Sequence, residues 1–294
     1  MTKTTFLAAA SAAALGLAAF APPAAAQLTP LVQYDATFSG SGPVGSPIYD
    51  LSSFANDGQV LGTAAGGEVL TSTDVPPSAP AGALSYDFTG NTFVAGAARG
   101  RIVTDGINLL DKNQIIAAGG FTFETWFKFG PNGWGGNNAK FISNEGFEGL
   151  QIRNQSGVSG IQFRISSFGS NNVVTSQQTL AQLSDDAWHH AVASFYVTDG
   201  SNPNNIIGNM RLSIDGIAVD SIGRSLLNSN ETGANSGIGF GGHPTATGDD
   251  YTGYLYNPTV YLGSIAVPEP GALALVGMAA AALAAGRRSR LARG

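Results

Sequence analysis

The chain has 294 residues, no cysteine, 12% charged residues and a formal net charge of −6. Without thiols it has no disulfides, thiolate metal sites or cysteine nucleophiles, and its negative charge argues against nucleic acid and anionic membrane surfaces as partners. Its 40 glycines and 14 prolines favour turns and short strands over long helices.

Residues 1–26 carry Lys3, an apolar run from about Phe6 to Phe20, and Ala24-Ala25-Ala26 before Gln27. This is the pattern of a secretory signal peptide cut after Ala26, which predicts export by the Sec route. The body, residues 27–266, is long enough to fold as one β domain on its hydrophobic core alone. Setting aside Lys3, Glu269 and the four arginines of the tail, it has about twice as many acidic as basic residues.

Along the body, helical patterning is limited to Asn108–Ala118 and the short stretch Thr179–Leu183. Residues 121–129, Phe-Thr-Phe-Glu-Thr-Trp-Phe-Lys-Phe, alternate strictly. Phe121, Phe123, Phe127 and Phe129 share one face; Thr122, Glu124, Trp126 and Lys128 share the other. Period two over that length predicts a strand with one face buried. Gly149–Arg153 and Gly160–Ile165 alternate around Asn154–Gly157, and Met210–Ile214 meets Asp215-Gly216 before Ile217–Val219. Both read as hairpins, the second on a strong turn signal. Trp188–Val197 and Tyr251–Ile265 complete the strand set, with Tyr251, Tyr254 and Tyr256 read as structural. Pro258 cannot donate to a ladder, so it marks an edge or a bulge. Many short strands with glycine-rich turns predict an all-β sandwich or barrel.

The chain ends in Val267-Pro268-Glu269-Pro270-Gly271, an apolar run to Ala285, and arginines that include Arg287 and Arg288. The run from Ala272 reaches only ~21 Å as a helix, against a hydrocarbon core of ~30 Å, and is too short for a lasting span. Together with the leader, this order resembles the PEP-CTERM proteins of Gram-negative bacteria. The resemblance implies that residues 267–294 are a sorting signal. A membrane-embedded exosortase would recognise Pro268-Glu269-Pro270 while the helix is transiently inserted in the membrane. The protein would then reach the cell surface or the extracellular matrix, anchored or released, in an organism that makes exopolysaccharide.

The body has a second resemblance. Leu31–Asp35, Asp50–Gly58 with Val60-Leu61, Ala83–Phe88, Phe121–Trp126, Trp188-His189-His190 with Leu212–Gly216, and Gly239–Gly242 with Tyr251–Tyr254 follow one another as in LamG-like domains of the concanavalin A-like superfamily. The match implies a single jelly-roll sandwich that binds extracellular ligands. Leu255–Thr259 departs from it, since acidic residues often follow the Gly-Tyr pair in that family.

Function is read from candidate sites. Glycoside hydrolases of the superfamily need paired carboxylates. Glu124 is alone on its strand, and Glu145 and Glu148 are three apart in a glycine-flanked loop. His189 and His190 are adjacent, so a strand sends them to opposite faces, unsuited to sharing a metal. Domains of the resembled family often bind calcium at a rim, and the acidic loops with Asp57 and with Asp249-Asp250 are the candidate positions for Ca2+, set against plain turn chemistry. Trp134, in a glycine-rich loop with Asn137 and Asn138, is the candidate sugar platform, set against a lid folded over the sheet. The leading expectation is a non-enzymatic surface or extracellular protein that binds polysaccharide or another matrix component. The alternatives are a structural surface or biofilm-matrix protein without a specific ligand, and a glycoside hydrolase.

Overall fold

A computed structural model describes residues 28–62, 68–90, 100–104, 111–131, 133–144, 147–167, 170–220, 225–228, 237–244 and 249–264. These fall within one compact unit, Leu28–Ser264. The leader, the Pro-Glu-Pro motif and the arginine tail lie outside the described residues. Among the described residues, no helix is long and apolar enough to cross a membrane.

The strands in chain order are β1 (Thr29–Gln33), β2 (Gly42–Pro43), β3 (Pro47–Ile48), β4 (Gly58–Leu61), β5 (Glu68–Ser72), β6 (Ser85–Asp87), β7 (Arg101–Thr104), β8 (Gly120–Phe129) and β9 (Lys140–Asn144). They continue with β10 (Phe147–Gln155), β11 (Val158–Ser167), β12 (Ser170–Thr175), β13 (His189–Asp199), β14 (Asn205–Ile214), β15 (Ile217–Asp220), β16 (Ser225–Asn228), β17 (Ile238–Phe240) and β18 (Gly253–Leu262). They form two antiparallel sheets. The front sheet runs β15-β14-β13-β8-β18-β6-β5-β2, with β1 also on β18 and β16 also on β14. The back sheet runs β12-β11-β10-β9-β17-β7-β4-β3. The architecture is the expected jelly-roll sandwich.

The alternation of β8 explains how the sheets join. Phe121, Phe123, Phe127 and Phe129 all point inward and are buried. Phe121 and Phe123 meet Phe163 of the back sheet edge-on, at 6.1 and 6.0 Å between ring centroids. Phe127 stacks on Phe141 at 4.7 Å, and Tyr34 meets Phe240 edge-on at 5.0 Å. Each such ring is worth roughly 1.5–3 kcal/mol in removed apolar surface, and the core needs no cross-link. Gly120 opens β8 at φ 143°, where a Cβ would run into the carbonyl of Phe195 on the neighbouring strand.

Both hairpins form. Asp215 (φ 52°) and Gly216 (φ 79°) turn β14 into β15, and Ser156 (φ 58°) and Gly157 (φ 78°) turn β10 into β11, the paired positive φ of a tight hairpin. The second turn is shorter than the sequence signal, because the strands continue to Gln155 and from Val158. The helix α1 covers Lys112–Ala118, capped by Asp111, whose carboxylate accepts the N–H groups of Asn113 and Gln114. Thr179–Leu183 is a hydrogen-bonded turn and not a helix: Gln182 and Leu183 donate to the Thr179 carbonyl, and the chain then leaves for β13.

Pro258 sits in a bulge. The strand β18 is flanked by β8 on one side and by β6 and β1 on the other. The register shifts between Tyr256, opposite Trp126, and Thr259, opposite Glu124, leaving Asn257 (φ 50°) and Pro258 outside the β8 ladder. The Pro258 carbonyl still accepts the Tyr34 N–H at 3.2 Å. An internal strand can hold a proline only where a bulge removes the need for its missing donor.

Candidate functional site

The outward residues of β8 build a site on the open face of the front sheet. Register places Trp126 between His190 of β13 and Tyr256 of β18, Lys128 beside Tyr254, and Thr122 between Ser194 and Tyr261. The half-buried part runs from the Glu124 row to the Lys128 row, four residues of strand or ~13 Å, while Thr122 and Ser194 are buried at its end. Along that line the side chains are half-buried aromatic rings and charges bonded to one another.

At the centre, the Trp126 ring stacks on the His190 imidazole at 4.7 Å and 24°. His190 Nε2 is 2.8 Å from Glu124 Oε1. The hydrogen bond from His190 holds the Glu124 carboxyl below its ordinary range against the opposing effect of burial, with Tyr261 also donating to it. Burial first, and then the Glu124 charge, push the Tyr261 phenol up to about 12.

At one end, Asp74 ties two pieces together. Its Oδ1 accepts from Trp188 Nε1 at 2.8 Å and its Oδ2 lies 3.0 Å from Lys128 Nζ. Asp186 meets the same ammonium at 2.9 Å. Burial pulls Lys128 down, but the two carboxylates outweigh it and leave it above its ordinary value. Trp188 lies 6.3 Å from Tyr254. Just behind, His189 points the other way, against Phe127 at 5.4 Å. Its Nδ1 is 2.8 Å from Asp215 and its Nε2 3.1 Å from Asp185. Both ring nitrogens are therefore occupied, and His189 and His190 lie on opposite faces as expected.

The other sequence-predicted residues lie elsewhere. Trp134 is half-buried with its ring 5.7 Å from Phe129, the arrangement of a lid over the sheet. Asn138 accepts from Arg153; Asn137 is exposed, and its carbonyl accepts the Asn154 N–H at 3.1 Å. Asp249 and Asp250 do not converge on one point. Asp249 lies 3.9 Å from Lys140 Nζ and Asp250 lies 3.5 Å from Arg101 Nη1. Asp57 accepts the Asp50 N–H at 2.8 Å in a separate loop. With a cation beside each carboxylate of the Asp249-Asp250 pair, these residues do not fit a calcium shell, which needs six to eight oxygens free to turn to one ion. Among the described residues no three His, Asp or Glu side chains gather to hold a metal ion. Glu145 and the side chain of Glu148 lie outside the described residues.

Sequence reasoning found Glu124, Trp126 and Lys128 on one face. It missed their partners His190, Tyr261, Trp188 and Asp74. Alternation in β13 could have aligned His190; nothing in the loop around Asp74 signals its role.

Two antiparallel sheets packed face to face, with polar and aromatic side chains spread across one open face, define the lectin-type jelly-roll class. The chain belongs to the concanavalin A-like lectin/glucanases superfamily, whose laminin-G-type family profile matches residues 100–267. No curated protein matches the chain. Among solved structures it is similar to the binding domain of botulinum neurotoxin DC in complex with rat synaptotagmin II, at 13% identity over 81% of this chain and 49% of that one, with a TM-score of 0.48. It is similar also to the botulinum neurotoxin serotype D/C VPI 5993 binding domain, at 13% identity over 81% and 49%, TM-score 0.49. The binding domain of Paraclostridial Mosquitocidal Protein 1 stands at 12% identity over 81% and 49%, TM-score 0.48. The chain spans about half the length of each, and the likeness is one of fold.

Proposed function

We propose that this is a non-enzymatic exported protein whose sandwich binds extracellular polysaccharide across the open face of the front sheet. The observation that carries the reading is the row of half-buried rings at Trp126, His190, Tyr256, Tyr254 and Trp188, set among hydrogen-bonding groups. Sugar rings present apolar faces that stack on aromatics and hydroxyls that bond to polar neighbours. A line of ~13 Å along the strands suits a short stretch of an extended sugar chain. Superfamily membership makes carbohydrate a natural ligand class.

Export rests on the two ends of the chain: the leader cut after Ala26, and the Pro268-Glu269-Pro270 signal with Arg287 and Arg288 for exosortase-type sorting to the surface. The non-catalytic reading rests on the placement of carboxylates. Glycosidases hold two carboxyl groups ~5–9.5 Å apart across the scissile bond. Glu124 is instead engaged with His190 and Tyr261, and Asp74 and Asp186, which lie close to one another, are both bound to the Lys128 ammonium, which stands between them where a scissile bond would have to lie.

The test is retention of the exported protein on a panel of polysaccharides, with reducing-sugar release measured in parallel. At least one polymer is retained without being cut. Trp126→Ala weakens that retention at least ten-fold while the protein stays folded. No retention on any polymer at millimolar sugar overturns the binding reading, and reducing-sugar release overturns the non-catalytic one. The intact mass of the surface form checks sorting: it ends near Pro268–Pro270 after cleavage and retains the arginines otherwise.

A further inference from the structure

The charges around the aromatic row deepen this reading by defining which polysaccharides the face takes. Arg211, opposite Ser194 on the same face, is paired with Asp220, and among the described residues Lys128 is the permanent cation of the aromatic row. Its ammonium is already held between Asp74 and Asp186, at 3.0 and 2.9 Å, and His190 is held by Glu124 at 2.8 Å. Both cations, Arg211 and Lys128, are therefore engaged inside the protein's own network. The flanks add more negative charge. Asp87 lies directly opposite Tyr254 in the β6–β18 register, and the charges of Asp87 and Asp74 bear on the Tyr254 phenol as Asp35 bears on that of Tyr256. Asp186 is 88% exposed on its loop.

From this arrangement we infer that the face selects uncharged, hydroxyl-rich polysaccharide and rejects anionic polymers such as polyuronates and sulfated glycans, on the basis of polymer charge. The reasoning is electrostatic. A uronate or sulfate lying on the rings would sit within a few ångströms of several like charges and find no unengaged cation to meet it. Like charges at that range repel strongly, and more so beside a half-buried surface than in open water. A neutral hexose polymer avoids this repulsion. Its hydroxyls donate to carboxylate and phenol oxygens, and its ring faces stack. The proposal rests on the binding reading above and goes beyond it by naming the chemical class.

The experiment compares the exported protein with its Asp87→Asn/Asp186→Asn variant. Both sites tolerate asparagine. Asp87 accepts from Thr89 through one oxygen, which an amide keeps, and Asp186 sits at φ 64°, where asparagine is at home. Three probes of similar length are used: a neutral glucan, a polyuronate, and a polymer of free glucosamine. The neutral glucan is expected to bind equally at 50 and 500 mM salt, which spans strong and weak screening. The polyuronate is expected to bind at least ten-fold more weakly at the lower salt. In the variant the ratio of glucan to polyuronate affinity should fall several-fold. Polyuronate binding as tight as glucan, or a deficit the variant leaves in place, overturns the charge-selection proposal and keeps polysaccharide binding. Retention of the glucosamine polymer alone, lost at high salt, overturns the neutral assignment in favour of a cationic ligand. Silence from all three polymers overturns both readings together.

Discussion

The two faces of β8 come from the same ten residues and are held in place by different physics. The inner face is four phenylalanines and Thr125, all buried, with each phenylalanine packed against other rings. The outer face is Thr122, Glu124, Trp126 and Lys128, each held by a directional partner on a neighbouring strand or loop. Dispersion and the hydrophobic effect give the inner face its stability without asking for specific angles. Hydrogen bonds and ion pairs give the outer face an exact chemical pattern and little net stability. One strand thus separates the job of folding from the proposed job of recognition by alternation alone.

That separation can be broken from either side. Phe127→Ala removes a ring that stacks on Phe141 and touches His189, and should cost about 3–5 kcal/mol in denaturant unfolding. The surviving folded fraction should still bind with unchanged affinity. A loss of affinity in the folded fraction would show that the faces are coupled. Trp126→Ala makes the opposite trade, losing binding with a far smaller loss of stability.

Glu124→Gln sharpens the comparison through pH. The Glu124 carboxyl lies below its ordinary value of 4.5, chiefly because of the bond from His190. A carboxyl depressed in the folded state stabilises it above the unfolded value and loses that contribution as pH falls through the folded one. The gap between wild type and Glu124→Gln should therefore be about 1 kcal/mol near neutrality and close in acid below 4.5. A gap independent of pH would show that the bond is made to an uncharged carboxyl. Calcium is the smallest effect: melting temperature should be the same in calcium and in chelator, because Arg101 and Lys140 already neutralise Asp250 and Asp249. A rise of several degrees with calcium would mean that the carboxylates leave those cations for the ion.

Local alternation and turn chemistry were enough to read β8, both hairpins and the sandwich class, because each of these is determined within a dozen residues. The parts of the site that depend on long-range pairing were not readable. Asp74 reaches Trp188 across 114 positions, and no local pattern encodes that meeting. The glycine- and asparagine-rich loop left Trp134 open between a sugar platform and a lid, and the ring lies against Phe129 at the end of the strand just before it, as a lid does. The Asp249-Asp250 loop looked available for metal because Arg101 and Lys140, which hold it, lie more than a hundred residues away in the chain.

The bulge at Asn257-Pro258 has an evolutionary consequence. Side chains in a strand are even or odd, and the bulge changes the count. Tyr254 and Tyr256 face solvent as even residues, and Thr259 and Tyr261 align with the same outward row of β8 as odd ones. Deleting Asn257 would remove the bulge and leave Thr259 and Tyr261 opposite Glu124 and Thr122 as they are, but it would bring Pro258 into the ladder opposite Thr125, where its missing donor is a cost. The extra residue and the proline are therefore coupled: relatives that lack a proline here should be able to lose one residue and keep the same outward row, and relatives that keep the proline should keep the bulge.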